Sequence, residues 1–328
     1  MMQRYKSIDC MKFMASLCII AIHTSPFQKS APLVNFWIMN LFTRWAVPYF
    51  ALCTGFFIAS KNVEKVSLFQ VVKKPILKNL RLYVCCVLFY FFYSIPFWIN
   101  AGIFSRHTII DYFAGMVING SFYHLWYLLS LIIALPFLGV CIRHLNNILI
   151  CVVLIILYTF ECLSYSYNIF LPIEFKLCLE RMSYYYGFFN GLFRILPFML
   201  CGVLIQRSNA LLEKKLCSYL LFAILVFALL GEIAVLYYCG QTQLSYVFMT
   251  VPVVCSLFTL SIHSIWCDKL HYKDMGKISV LVYCVHPMIV GIIALFTENA
   301  EIRFFLTAII SVGIAKILLK NQVIARLV

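Results

Sequence analysis

Charge is what this sequence has least of. Only 12% of its 328 residues are Asp, Glu, Lys or Arg, and just 12 are acidic. Soluble domains carry about 25% charged and about 45–50% apolar residues. Here 64% are hydrophobic, with a mean hydropathy of +0.95. So large an apolar surplus cannot be hidden in one water-exposed core, which excludes a soluble globular chain. Long linkers, internal repeats and low-complexity segments are missing too, so no part of the chain reads as a separate soluble domain. None of the 15 cysteines are spaced C-x2-C, and most lie inside apolar runs. Buried Cys behaves as a small hydrophobe, and no metal is expected. Cys162 and Cys178 share one outer loop region, where a disulfide remains open. The first apolar run is not a convincing signal peptide, because Lys12 interrupts its start and no small-residue cleavage site follows.

What is present is a series of apolar runs, at about 9–27, 33–59, 79–101, 123–142, 146–164, 187–206, 216–239, 244–265, 277–298 and 301–320. A spanning helix needs about 20 apolar residues, and the runs lack the strict alternation of barrel strands, so helices are the spanning element. The expected fold is all-α: a polytopic transmembrane bundle of about 10 helices, forming a single unit over 1–328. The longest polar stretches are a loop over 60–78 and outer loops near 102–122 and 165–186.

The net charge of +14 would suggest nucleic acid in a soluble protein. Here Lys and Arg sit between apolar runs rather than along a stripe, so lipid headgroups are the expected partner and nucleic acid is not. With ten spans both termini share one side. Of the 26 Lys and Arg, 17 then fall on that side, 5 on the other and 4 inside spans. The positive-inside rule assigns the first side, and both termini, to the cytoplasm.

Ionisable groups inside lipid cost about 2.5–3.5 kcal/mol on insertion scales and usually face a cavity. Lys12 and His23 share the first run. Their spacing is about three helical turns and about 16 Å of rise, so both lie on one face, Lys12 near the cytoplasm and His23 nearer the outer surface. A cation below and an imidazole above can line one transverse channel, and His suits acid–base work near neutral pH. The plain alternative has Lys12 snorkelling to the headgroups and His23 capping a helix end.

Arg44 lies mid-span in Thr43-Arg44-Trp45-Ala46-Val47-Pro48, where Pro48 frees a backbone carbonyl one turn back. A site role is favoured over a structural partner such as Glu232. His124 opens the fourth span beside Trp126 and Tyr127, at the outer interface, where an aromatic belt explains the two rings better than the imidazole. Arg194, in Asn190-Gly191-Leu192-Phe193-Arg194, and His286 are also mid-span. Several cations at similar depth repel unless an anionic ligand or carboxylates gather them. Lys73, Lys74, Lys78 and Arg81 stand at helical spacing before the third span. They can grip phosphates, although ordinary positive-inside charge accounts for this loop equally simply.

At these residues the chain resembles the acyltransferase-3 family of bacterial membrane proteins. Ile8-Asp9 precedes Lys12, and ten residues separate Lys12 from His23, as in the family's basic-residue–His signature, with Lys where Arg is commoner. Arg44-Trp45-Ala46-Val47-Pro48-Tyr49-Phe50 through Thr54-Gly55-Phe56-Phe57 is similar to its R-x-x-V-P-x-F…S-G-F pattern, with Thr54 where Ser is usual. Lys74, Lys78 and Arg81 resemble its basic run, without the usual following Pro. His124-Leu125-Trp126-Tyr127-Leu128 and Ile278-Ser279…Tyr283…His286 resemble two further signatures.

The resemblance implies transfer of an acyl group, usually acetyl, from cytoplasmic acyl-CoA to a hydroxyl of a cell-surface glycan or lipid-linked sugar, in the bacterial cytoplasmic membrane. It implies His23 as base, with Lys12 and the basic run (Lys74, Lys78, Arg81) on the donor side. Arg44 joins His23 and Lys12 as a candidate catalytic residue. His124, Trp126, Asn190, Arg194 and His286 are candidates for substrate binding. Ala21-Ile22-His23-Thr24-Ser25-Pro26 and Asn190-Gly191-Leu192-Phe193 are also similar to the membrane half of vancomycin-resistance serine racemases. That similarity implies a second possibility, a serine-type amino-acid uptake or binding module. The racemase half is not expected here, since the sequence ends at Val328 just after the last run.

Overall fold

A computed structural model describes residues 5–60, 68–182, 186–208, 215–242, 244–263 and 274–328. Arg4, Lys61, Lys65, Lys214, Lys269 and Lys273, counted above on the cytoplasmic side, lie outside the described residues, as do the side chains of Arg181 and Lys215. The described residues are helical with no strand.

The helices are α1 (Lys6–Thr24), α2 (Pro32–Ala59), α3 (Leu68–Asn100), α4 (Arg106–Ile118), α5 (Trp126–His144), α6 (Asn147–Ser164), α7 (Ile173–Met182), α8 (Gly187–Arg207), α9 (Lys215–Tyr238), α10 (Thr250–His263), α11 (Met275–Ala294), α12 (Ala300–Leu318) and α13 (Gln322–Leu327). Each expected apolar run falls on one of them. Among the described residues eight are long and apolar enough to cross a membrane. Of the two other runs, α10 is short, at 14 residues, because 244–249 enters it without helical structure. The other, α12, carries Glu301, Arg303 and Lys316 along 19 residues.

Three expectations are corrected. The 60–78 stretch is not all loop, since α3 begins at Leu68 and carries Lys73, Lys74, Lys78 and Arg81 on its first turns. Both outer loops contain helices, α4 and α7. Cys162 is buried and Cys178 exposed, and both thiols are free.

Local chemistry sets several ends. Ser105, Asn146 and Asn299 cap α4, α6 and α12 by accepting from the backbone N–H of Thr108, Leu149 and Ile302, each satisfying an orphan first-turn donor. α1 stops where Ser25 turns left-handed, at φ 43°, leaving His23 in the last turn. Two large apolar clusters fill most of the interior of the described residues, beside two smaller ones. One gathers Tyr49, Leu52, Phe198 and Phe258; the other gathers Tyr83, Tyr90, Val282 and Tyr283.

α2 and α8 are the closest-packed pair. A Cβ at Gly55 would overlap the Met199 carbonyl, and one at Gly202 would overlap the Leu52 carbonyl. Small residues that let backbones meet are the usual means of tight helix association in lipid, where no hydrophobic force drives it.

Candidate active site

α1 presents Lys12, Ile19, Ile22 and His23 to one cavity of about 350 Å³. The spacing argument therefore holds as geometry: one face of one helix carries the cation and the imidazole along the same wall. The cavity lies where the two apolar clusters meet, with Leu131 from the first and Leu82, Leu128 and Tyr283 from the second. Arg44, Thr54, His124, Trp126 and Arg194 add to its polar lining, with Asn79, Ser245 and Ser279 among the others. Lys12 Nζ lies 5.3 Å from the Phe57 ring centre.

At the other end of α1, His23 stacks on His286 with ring centres 5.3 Å apart, and Tyr123 meets His23 edge-on at 4.9 Å. His286 is fully buried behind the cavity wall. Its Nδ1 lies 3.0 and 2.9 Å from the carbonyl oxygens of Val282 and Tyr283, which fixes that nitrogen as the donor and leaves Nε2 with the lone pair. His124 is 2% exposed, so it does not sit in an interfacial belt. Tyr90, Tyr283 and His286 rings surround it, and Tyr283 donates to its backbone oxygen at 2.7 Å. Trp126 and Tyr127 likewise face the cavity.

The two mid-span arginines share an unusual local structure. Ile38–Thr43, just before Arg44, and Asn190–Ile195, which contains Arg194, are π-helical. Such turns are rare, and they are frequent at functional sites. Pro48 and Pro197 follow closely and remove a backbone donor in each case.

Arg194 is 6% exposed, and its Nε and Nη2 both donate to Glu161 Oε1 at 2.6 Å. Rings of Trp126, Tyr165 and Tyr246 lie 5.4, 4.7 and 5.3 Å from its guanidinium carbon, a desolvated cation–π cage. Arg44 is half-buried and donates from Nη2 to the Leu244 carbonyl at 2.7 Å. Glu232, the partner considered for it, accepts from the backbone N–H of Phe248 and Met249 at 2.8 Å and from Tyr167 Oη. A second cavity, of about 890 Å³, shares Arg44, Arg194 and Ser245 with the first. The arginines thus stand where the two spaces meet.

Other expected residues lie apart. Asn190 is fully buried and lines neither cavity. Lys74 and Arg81 are exposed on α3 and do not line the first cavity. Lys78 donates to the Val328 carbonyl. Among the described residues no cluster of His, Cys, Asp and Glu could hold a metal.

The site also includes residues that sequence reasoning missed: Glu161, Ser245, Tyr246 and Tyr123. Only Glu161 carried a usable signal, as a carboxylate within an apolar run.

A family model described as an acyltransferase domain matches residues 5–319, nearly the whole chain. The chain belongs to the acyltransferase-3 family. The chain is similar to two proteins named amino-acid racemase from Enterococcus faecalis. One is 26% identical over 330 residues (97% of this chain, 46% of the relative) and the other 26% identical over 341 (96% and 45%). It is also similar to a serine/alanine racemase from Enterococcus gallinarum, 24% identical over 348 residues (97% and 46%). This acyltransferase-3 member therefore spans about half the length of those relatives. No solved structure matches it.

Proposed function

We propose that this family member is a membrane-bound O-acyltransferase of the bacterial cytoplasmic membrane, a single unit with both termini cytoplasmic. It moves an acyl group, acetyl in the first instance, from cytoplasmic acyl-CoA to a hydroxyl of a cell-surface glycan or lipid-linked sugar. The observation that carries the reading is the single cavity wall on α1, with Lys12 toward one end and His23 toward the other. A reaction whose donor and acceptor arrive from opposite sides needs that arrangement.

His23 takes the proton from the acceptor hydroxyl as its oxygen attacks the thioester carbonyl carbon. The carbon–sulfur bond breaks, and the CoA thiolate recovers the proton from His23. Arg44 faces the same cavity and stabilises the developing oxyanion. His286 holds the His23 ring by stacking, and His124 and Trp126 shape the acceptor's space. Lys12 serves the donor phosphates.

The test is purified protein incubated with labelled acetyl-CoA. Wild type transfers or hydrolyses the label, and His23→Ala loses about 10²–10⁴-fold, the range for a general base, while still eluting as a folded protein. Full activity in that variant would remove His23 from the mechanism.

A second reading is favoured by the racemase names of the relatives and by the arginines at the junction of two cavities. In it the chain binds or takes up a serine-type amino acid, with a guanidinium on the carboxylate. Labelled serine retained without acyl-CoA, and no turnover of the thioester, would favour it.

A further inference from the structure

The second cavity differs from the first in how charge is placed around it. Arg44 and Arg194 stand where it meets the first, and among the described residues no other side chain lining it is charged. Amides take the place of ions. Gln28, Asn35, Asn40, Asn168 and Gln241 line it, contributed by α2 and by the connections that follow α1, α6 and α9. An amide both donates and accepts, as a hydroxyl does, whereas a buried ion requires a counter-charge.

The amides are braced against one another. Asn35 Nδ2 donates to Gln28 Oε1 at 2.8 Å, and its Oδ1 accepts from Phe27 N at 3.2 Å. Gln241 Nε2 donates to Asn168 Oδ1 at 3.0 Å. Asn40 is 8% exposed, and its Nδ2 donates to the Phe36 carbonyl at 2.8 Å. Its Oδ1 has no hydrogen-bond partner among the described residues. A buried oxygen left so costs about 1–3 kcal/mol, which a hydroxyl donating to it recovers.

Phe36 and Tyr237 add an aromatic wall, with ring centres 4.8 Å apart. A sugar ring carries hydroxyls on its edge and C–H groups on its faces, so amides around it and an aryl face against it suit it. The volume, about 890 Å³, falls in the range of about 300–1,000 Å³ that holds drug-sized ligands, which is large for one amino acid. An amino acid's ammonium would also meet no carboxylate among the described lining residues. The cavity adjoins the base: Ser25 lines it two residues after His23 lines the first, and Arg44, Arg194 and Ser245 are common to both.

We propose that the second cavity binds the non-reacting body of the acceptor, that this body is an uncharged saccharide, and that it passes one hydroxyl by the shared arginines to His23. This rests on the acyl-transfer reading above. Of the substrate-binding candidates in the sequence, Arg194 alone lines this space. Asn40 and Tyr237 are added as residues that choose the acceptor.

The test is binding of the full chain, in nanodiscs, to an array of oligosaccharides that are neutral, carboxylate-bearing or phosphate-bearing. Neutral glycans are expected to bind. Tyr237→Ala and Asn40→Leu should each weaken that binding about tenfold, while Tyr237→Phe, which keeps the aryl face, should stay close to wild type. Thr242→Lys places a cation in the uncharged lining and should shift binding toward carboxylate-bearing glycans, a gain that damage to the fold cannot produce. Binding of charged glycans alone by the wild type overturns the uncharged class. No glycan bound, or binding that Tyr237→Ala and Asn40→Leu leave unchanged, overturns the site. Labelled serine that wild type binds and Tyr237→Ala releases hands the cavity to the amino-acid reading and overturns this one. Turnover of labelled acetyl-CoA is measured separately. Turnover without glycan binding sinks this inference and leaves the enzyme reading intact. Neutral glycan bound without turnover keeps the saccharide site and sinks acyl transfer.

Discussion

Arg44 and Arg194 occupy nearly matching sequence contexts and different surroundings. Arg44 directly follows a π-helical turn and Arg194 lies within one, each is followed within four residues by proline, and both line the junction of the two cavities. Arg194 is sealed among three rings and tied through two nitrogens to Glu161. Arg44 is half-exposed and donates to a loop carbonyl. The difference separates a charge that holds the wall together from one that can address what enters the cavity. A cation in an apolar run announces that it has a task, and only its neighbours say which.

The sharpest way to break the comparison is Glu161→Ala. It leaves a buried guanidinium without its carboxylate, which costs about 3–5 kcal/mol, read as a lower melting temperature in detergent. Arg194→Met together with Glu161→Leu should recover most of that stability, because replacing both partners removes the stranded charge. Arg44→Ala should act in the other direction, with about a 100–1,000-fold loss of turnover, the scale for removing one oxyanion donor, and little change in melting. If Arg44→Ala unfolds the protein while Arg194→Ala spares it, the roles are reversed. The smallest expected effect is at the contact between the two arginine-bearing helices. Gly55→Ala or Gly202→Ala forces a methyl into a backbone carbonyl and should cost about 1–3 kcal/mol, as overpacking does. Both glycines should respond alike, since each meets the other helix's backbone.

Much of the frame was legible in the sequence for a physical reason: lipid admits few charges, so apolar length and charge position nearly dictate where the helices run. Lys12 and His23 were legible as a pair because helical pitch is fixed, and eleven residues return to the same face. Partners were not. Glu161 and Arg194 are 33 residues apart, and their meeting depends on how α6 and α8 rotate about their axes, which side-chain packing decides. His124 read as interfacial from its place at a span's edge, yet Tyr90, Tyr283 and His286 enclose it. Ser245 and Tyr246 reach the cavity because the chain before Thr250 stays unwound, where hydropathy alone extended the helix.

The glycine contacts between α2 and α8 have one further consequence. Where backbone meets backbone there is no side chain to change rotamer, so the two helices behave as one stiff beam. Both arginines are mounted on that beam, while His23 is mounted on α1. The spacing of the two helix backbones is therefore set when the chain folds, and the arginine side chains reach out from mounts that main-chain contact has placed in advance.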